Sequence, residues 1–434
     1  MIAPLLLAAL AAVPADTIPV VTLPQALAEA VRLDPSYVQA VGQLENAEWG
    51  RRAALLVFAL PTVSAVVDYQ ELSTSQFNLG TGRPASAQGR ASVDARYELF
   101  TGGRKLYGAR QAAAELDAAR AGELGARFLT ALETERDYYA VLGARELLDV
   151  ARARRARADS QFALARARVA SGATVQSDSL QVLLEVQRAE ADYLARDAAL
   201  TVARLQLGRR VGSGGPVDAA PLAPSASDAL PLTLEGAVAL AVQQGPAWRQ
   251  ARAAERSAEA ALLSRRGTYL PTVSLTGSYS LFDDRFFPTA TSRRSVGVNF
   301  AWSIWDGGQR ELAMERLRTT QDVARAVRSD LERAARRDVT EAYTGYDVAR
   351  RQLALAETGV VVAAEVLRVQ EARYRAGAST VLELLDAQAQ LVQAQADQVQ
   401  ARYAVRLSRA GLEAILGRRL TSATSDLSDT TSVP

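Results

Sequence analysis

Carboxylates are the residues in this chain best placed to do chemistry. Glu383 and Asp386 stand three residues apart, shortly after Gly377, and such a pair could serve as general acid and general base. Nothing in the sequence completes a catalytic site around them. The chain has no cysteine and no histidine, which removes disulfides, thiolate nucleophiles, Cys/His zinc sites and the Ser-His-Asp triad together. Lys105 is the only lysine, and no cofactor loop, nucleophile–base pair or metal cluster can be read. The chain is therefore expected not to be an enzyme and to carry no cofactor. Its 50 basic and 48 acidic residues are interspersed, so there is no general basic field for a nucleic acid backbone, and no nucleic acid partner is expected.

The elements that position those carboxylates belong to a chain written twice. Thr22-Leu23, Ala26, Ala28, Ala30-Val31 and Pro35 return as Thr233-Leu234, Ala237, Ala239, Ala241-Val242 and Pro246. Pro61-Thr62-Val63-Ser64 returns unchanged as Pro271-Thr272-Val273-Ser274, and Gly102-Gly103 as Gly307-Gly308. Tyr138 and Gly172 match Tyr343 and Gly377, and both halves close on Leu-Gly-Arg-Arg, at 207–210 and 416–419. The expected division is a first repeat over 16–211, a Gly/Pro/Ser-rich linker over 212–231, a second repeat over 232–418 and a C-terminal tail over 419–434. Residues 1–15 have the short apolar core and small-residue end of a secretory signal peptide.

Within each half the hydrophobic period runs from helical to alternating and back to helical. An alanine-rich helical pattern from about Pro24 to Leu60 ends at Pro61. Strands are expected at about 62–72, 91–100, 272–282 and 295–304, with polar hairpin loops around Ser73–Gln88 and Asp283–Arg294. Each strand opposes an apolar and a polar face, as in Val296, Val298, Phe300 and Trp302 against Ser295, Asn299 and Ser303. Alternation alone also fits a soluble sandwich. Membrane-spanning length and aromatics such as Tyr69, Trp302 and Trp305 favour a transmembrane barrel, and four strands cannot close one, so the chain must oligomerise. No stretch after the leader is apolar enough for a membrane helix.

After Gly103 and after Gly308 the helical pattern runs to Gly172 and Gly377, about 100 Å at 1.5 Å per residue. A helix of roughly half that length follows each turn, and another precedes each strand pair, so two short helices match one long one. Leu384, Ala387, Leu391, Ala394, Gln398, Ala401, Val405, Ser408, Leu412 and Ile415 follow coiled-coil steps. Their small residues suit close packing among many helices. A periplasmic coiled-coil scaffold is the alternative reading, and it leaves the four strands without a role.

From Arg373 to Gln388 the chain reads Arg-Tyr-Arg-Ala-Gly-Ala-Ser-Thr-Val-Leu-Glu-Leu-Leu-Asp-Ala-Gln, with a looser counterpart from Arg168 through Gly172 to Asp178. This resembles the helix-turn-helix signature of the TolC-like outer-membrane efflux protein family, and the likeness covers nearly the whole chain after the leader. It implies an α+β membrane protein with a duplicated helix-strand-strand-helix-helix repeat. Three copies would form a twelve-stranded β-barrel in outer-membrane lipid, continuous with a long α-helical barrel in the periplasm. The implied partners are a periplasmic adaptor (membrane fusion) protein and an inner-membrane pump or ABC exporter. The implied docking tips are Arg168, Ser171, Gly172, Thr174, Arg373, Ala376, Gly377 and Ser379. Glu383 and Asp386 match an acidic ring at the narrow end of the tunnel, and Asp178 and Tyr374 match an inter-repeat closing contact. Some family members carry an arginine where Ser379 stands, so the lock is expected to be wired differently here.

Overall fold

The computed structural model describes residues 18–78, 80–172, 174–222, 230–289 and 291–420. The expected signal peptide, part of the linker and nearly all of the C-terminal tail lie outside the described residues. In chain order the elements are β1 (Val20–Val21), α1 (Leu23–Leu33), α2 (Pro35–Leu56), β2 (Thr62–Asn78), β3 (Arg83–Phe100), α3 (Arg104–Ala170), α4 (Gln176–Arg210), β4 (Asp218–Ala219), α5 (Leu234–Gln244), α6 (Pro246–Arg266), β5 (Thr272–Asp283), β6 (Thr291–Ala301), α7 (Gln309–Arg375) and α8 (Val381–Leu416). They form two compact units. One holds the described residues up to Gln39, Gly125–Ala241 and those from Arg336 onward, and the other holds Ala40–Leu124 and Val242–Ala335.

The second unit contains one four-stranded antiparallel sheet of order β2-β3-β5-β6. The middle seam joins the repeats, with Val93 opposite Tyr279 and Tyr97 opposite Leu275. Exposure is inverted relative to a soluble sheet: Val296 (82% exposed), Val298, Phe300, Val63 and Val67 face outward, whereas Ser92, Ser274 (3%) and Ser280 are buried. An apolar exterior over a polar interior is what a lipid-facing barrel wall requires. No helix among the described residues is long and apolar enough to cross a membrane.

The first hairpin is longer than its alternation suggests, because Glu71–Asn78 and Arg83–Gln88 continue the ladder without an apolar face. Conversely, β6 begins at Thr291 and stops at Ala301 rather than running to Ile304. There the backbone acceptors leave the sheet for Arg310, whose guanidinium donates to the Ser303 and Ile304 carbonyls at 2.9 Å each. The helical stretch before the first strand is likewise two helices rather than one. Pro35 disfavours helical geometry at Asp34, and Asp34 turns its carboxylate onto the amides of Ser36 (2.9 Å) and Tyr37 (3.2 Å) to start α2. Gly245-Pro246 makes the same break between α5 and α6.

In the first unit the expected linker is anchored. β4 pairs in parallel with β1, Val20 opposite Asp218, and Asp218 is gripped by Arg145 and by Arg204 at 2.5 Å. Burial opposes ionisation of Asp218, but the hydrogen bonds from Arg204 and Arg145 outweigh it and hold the carboxyl below the usual range. Tyr138, fully buried, donates to the carbonyls of Ala220 (2.7 Å) and Val21 (3.3 Å). Its counterpart Tyr343 donates to the Leu232 carbonyl (3.4 Å), so in each repeat the equivalent tyrosine pins the segment just ahead of the first helix. Around Tyr138 a core forms from Tyr139, Val141, Leu142, Leu148, Leu200 and Leu207.

Candidate functional site at the helix-turn-helix tips

The two helical hairpins, α3–α4 and α7–α8, turn on glycines in the left-handed region, Gly172 at φ 73° and Gly377 at φ 74°. A Cβ would strain either position. Gly377 N–H donates to Tyr374 (3.0 Å) and Ala378 N–H to Arg373 (2.8 Å), which satisfies carbonyls left open at the end of α7. Thr380 then caps α8, its hydroxyl accepting from the Glu383 amide at 3.3 Å. On the first turn the Thr174 hydroxyl donates to the Asp178 carboxylate.

Both tips share one core, in which Ala165, Val182, Leu367, Tyr374, Val381, Leu384, Ala387 and Leu391 are buried together. Arg168 ties the repeats across it. Its Nη1 donates to the Tyr374 carbonyl at 2.6 Å, and its guanidinium lies 4.7 Å from the centre of the Tyr374 ring, a cation–π distance. The inter-repeat contact therefore runs through Arg168 and Tyr374. Asp178 and Tyr374 are not hydrogen-bonded to one another, since Asp178 is occupied by Thr174 and the Tyr374 hydroxyl is buried without a partner among the described residues.

The remaining tip residues are surface features. Ser171, Gly172, Arg373, Ala376 and Gly377 are exposed and Ser379 is partly so. Ser379 donates to Glu383 at 3.0 Å and to Gln370 at 3.2 Å. Glu383 and Asp386 are both exposed, and neither has an ion-pair partner among the described residues; Asp386 accepts only from Gln390, at 2.7 Å. The two carboxylates thus remain available to solvent cations.

A group that the sequence reading passed over lies just behind the tips. Arg157, Gln161, Glu371, Tyr374, Arg375 and Leu384 line a cavity of about 290 Å³. Arg157 and Gln161 are four residues apart on α3, and that spacing was the available signal, since it continues through Ala165 and Arg168 on one helix face. Among so many arginines, it did not distinguish Arg157 from a solvated one.

The outer membrane efflux protein family model matches residues 28–213 and 237–418 of the chain. The chain is 30% identical to protein CyaE of Bordetella pertussis over 48% of this chain and 44% of that protein. It is 27% identical to outer membrane protein OprJ of Pseudomonas aeruginosa over 63% of this chain and 57% of that one. It thus spans about half the length of these relatives. In fold it is similar to the crystal structure of a membrane protein from Pseudomonas aeruginosa, with a TM-score of 0.79 at 21% identity, covering 93% of this chain and 91% of the other. Two matched repeats, an outward apolar sheet and paired helical hairpins place the chain in one family: it belongs to the outer membrane efflux proteins, channels of the outer membrane with a periplasmic helical part rather than enzymes.

Proposed function

We propose that the chain is one protomer of a homotrimeric exit duct, passing substrates that an inner-membrane pump or ABC exporter delivers through a periplasmic adaptor, in efflux or type I secretion. The observation that carries this reading is the sheet. β2 and β6 are its two edges and each lacks a neighbour on one side, while their apolar residues face outward. Open edges are not tolerated in lipid, so other copies must close them.

Internal symmetry specifies how. Val63 pairs with Ala95 in the first hairpin, and its counterpart Val273 pairs with Phe300 in the second. β2 therefore maps onto β5 at an offset of 210 (273 less 63), and β3 onto β6 at 205 (300 less 95). The seam that sets Val93 against Tyr279 within the chain becomes, between copies, Val298 against Tyr69. The same mapping sets Phe300 against Val67. Apolar residues then meet apolar residues on the outward face, as a correct register requires, and three copies supply twelve strands.

The adaptor would dock on the tip surface formed by Arg168, Ser171, Gly172, Thr174, Arg373, Ala376, Gly377 and Ser379. Glu383 and Asp386 from three copies would form a ring of carboxylates that attracts cations. The closing contact would be held by Arg168 on Tyr374, with Asp178 braced by Thr174.

Electron-microscope imaging of the detergent-solubilised protein tests this reading. A hollow threefold cylinder with a helical part about 100 Å long is the expected result. Compact monomers or solid two-stranded rods would overturn it in favour of a coiled-coil scaffold.

A further inference from the structure

The cavity of about 290 Å³ behind the tips is near the lower end of the range for small-molecule sites, roughly 300–1,000 Å³. Its walls are unusual for the interior of a helical bundle. Arg157 Nη2, Gln161 Oε1 and the Tyr374 hydroxyl are all buried, and none has a hydrogen-bond partner among the described residues. Tyr374 itself is only 4% exposed. A buried polar atom left unpaired costs about 1–3 kcal/mol, so three around one cavity call for a common occupant.

Charge narrows what that occupant is. Arg157 makes no ion pair among the described residues, whereas Arg154, one turn away on α3, is engaged by Glu185 at 2.7 Å and Asp192 at 3.4 Å. The one carboxylate lining the cavity, Glu371, is paired with Arg375 at 3.3 Å. The lining therefore holds two guanidinium groups against one carboxylate. Burial pulls the Arg157 guanidinium below the usual arginine range, and Glu371 works in the opposite direction. Water could satisfy the amide and the hydroxyl but would leave the half-buried cation uncompensated.

We propose that this cavity binds a phosphate group. Two of its oxygens accept hydrogen bonds from Arg157 and from the Tyr374 hydroxyl, and its own protonated oxygen donates to Gln161 Oε1. A planar guanidinium suits an oxyanion, and the acceptor on Gln161 selects an anion that still carries a hydrogen. Because α3 belongs to the first repeat and α7 and α8 to the second, an occupied site would clamp the repeats together behind the tips. Free phosphate and phosphate esters share this chemistry.

The test uses the full-length protein in detergent, near pH 6, by calorimetric titration and thermal unfolding. Inorganic phosphate, glycerol phosphate and sulfate are compared at one ionic strength set with chloride. Saturable binding of inorganic phosphate, at one per chain and with a raised Tm, is expected, and sulfate should bind at least several-fold more weakly because it brings no donor. Glycerol phosphate binding would extend the site to esters, and its failure would restrict the site to the free anion; either result fits. Arg157→Gln should weaken phosphate at least tenfold, and Tyr374→Phe several-fold. No phosphate binding beyond the chloride control, equal binding of sulfate, or undiminished binding in Arg157→Gln would overturn the proposal. The comparison of phosphate with sulfate on the unaltered protein decides the matter even if a variant does not fold. Since binding is read without transport, its failure is separable from failure of the exit-duct reading.

Discussion

α3 and α7 are repeat equivalents of the same length, 67 residues each, yet their surfaces differ. α3 buries Leu116, Phe128, Tyr138, Val141, Leu142 and Leu148 within the chain. α7 leaves Val348, Leu355 (73% exposed), Val362 and Val369 in the open at steps of seven residues, which is a coiled-coil stripe. The short helices repeat the contrast. α2 has no buried residue, whereas α6 buries Ala251, Ala253, Ala258 and Leu262 and reaches α3 through Arg256 and Asp117 at 3.1 Å. Equivalent patterns with opposite burial mean that exposure here reflects position in an array. The α3 and α6 faces meet inside one chain, and in the proposed trimer the matching α7 and α2 faces would be covered by another copy.

The largest effect should come from covalently locking the proposed seam between β6 of one copy and β2 of the next. The chain has no cysteine, so Val298→Cys combined with Tyr69→Cys offers two thiols and no others. Directly opposed residues on antiparallel strands have Cα atoms about 4.5–5.5 Å apart, within disulfide range. Near-complete conversion to covalent multimers on a non-reducing gel is expected, with much less for Val298→Cys combined with Val67→Cys, which is displaced by two residues. Equal yields from both pairs would break the register argument.

A second experiment separates the two long helices. Leu142→Ala opens a cavity in the core around Tyr138 and should destabilise the chain itself by about 2–5 kcal/mol. Leu355→Glu should leave the secondary structure seen by circular dichroism intact and instead shift the protein from trimer to smaller species on size exclusion. If the two variants behaved alike, the contrast between a covered and an open helix would be mistaken.

The smallest effect concerns the tips. Glu383→Gln with Asp386→Asn should reduce cation preference several-fold in planar bilayers. Asp178→Asn, at the first-repeat position equivalent to Glu383, should change it less, because Asp178 is only partly exposed whereas Glu383 and Asp386 are exposed. Unchanged selectivity in the double variant would remove the acidic ring from the proposal.

Much of this was legible in the sequence because it is periodic. The Pro-Thr-Val-Ser repeat marked where strands begin, and alternation such as Val296, Val298 and Phe300 marked the face that points outward. The glycines at 172 and 377 marked turns that need positive φ. What escaped had no period to announce it. β1 and β4 are two residues each, and their pairing depends on Arg145, Arg204 and Tyr138, which are distant in sequence from at least one strand. The outer ends of β2 and β3 are polar on both faces and read as loop. Arg157 became distinct only when folding left it without the carboxylates that Arg154 has.

The two strand hairpins also record a history. β2 and β3 are 17 and 18 residues long against 12 and 11 for β5 and β6, and the repeat offset falls by five between the strands that enter and leave the hairpin. After a duplication, a seam cannot lose residues without slipping every neighbour, but an unpaired outer turn can. Divergence in length has accumulated where packing did not forbid it. In a ring of three copies, tall and short hairpins would then alternate around the mouth. The mouth of such a ring would have threefold rather than sixfold character.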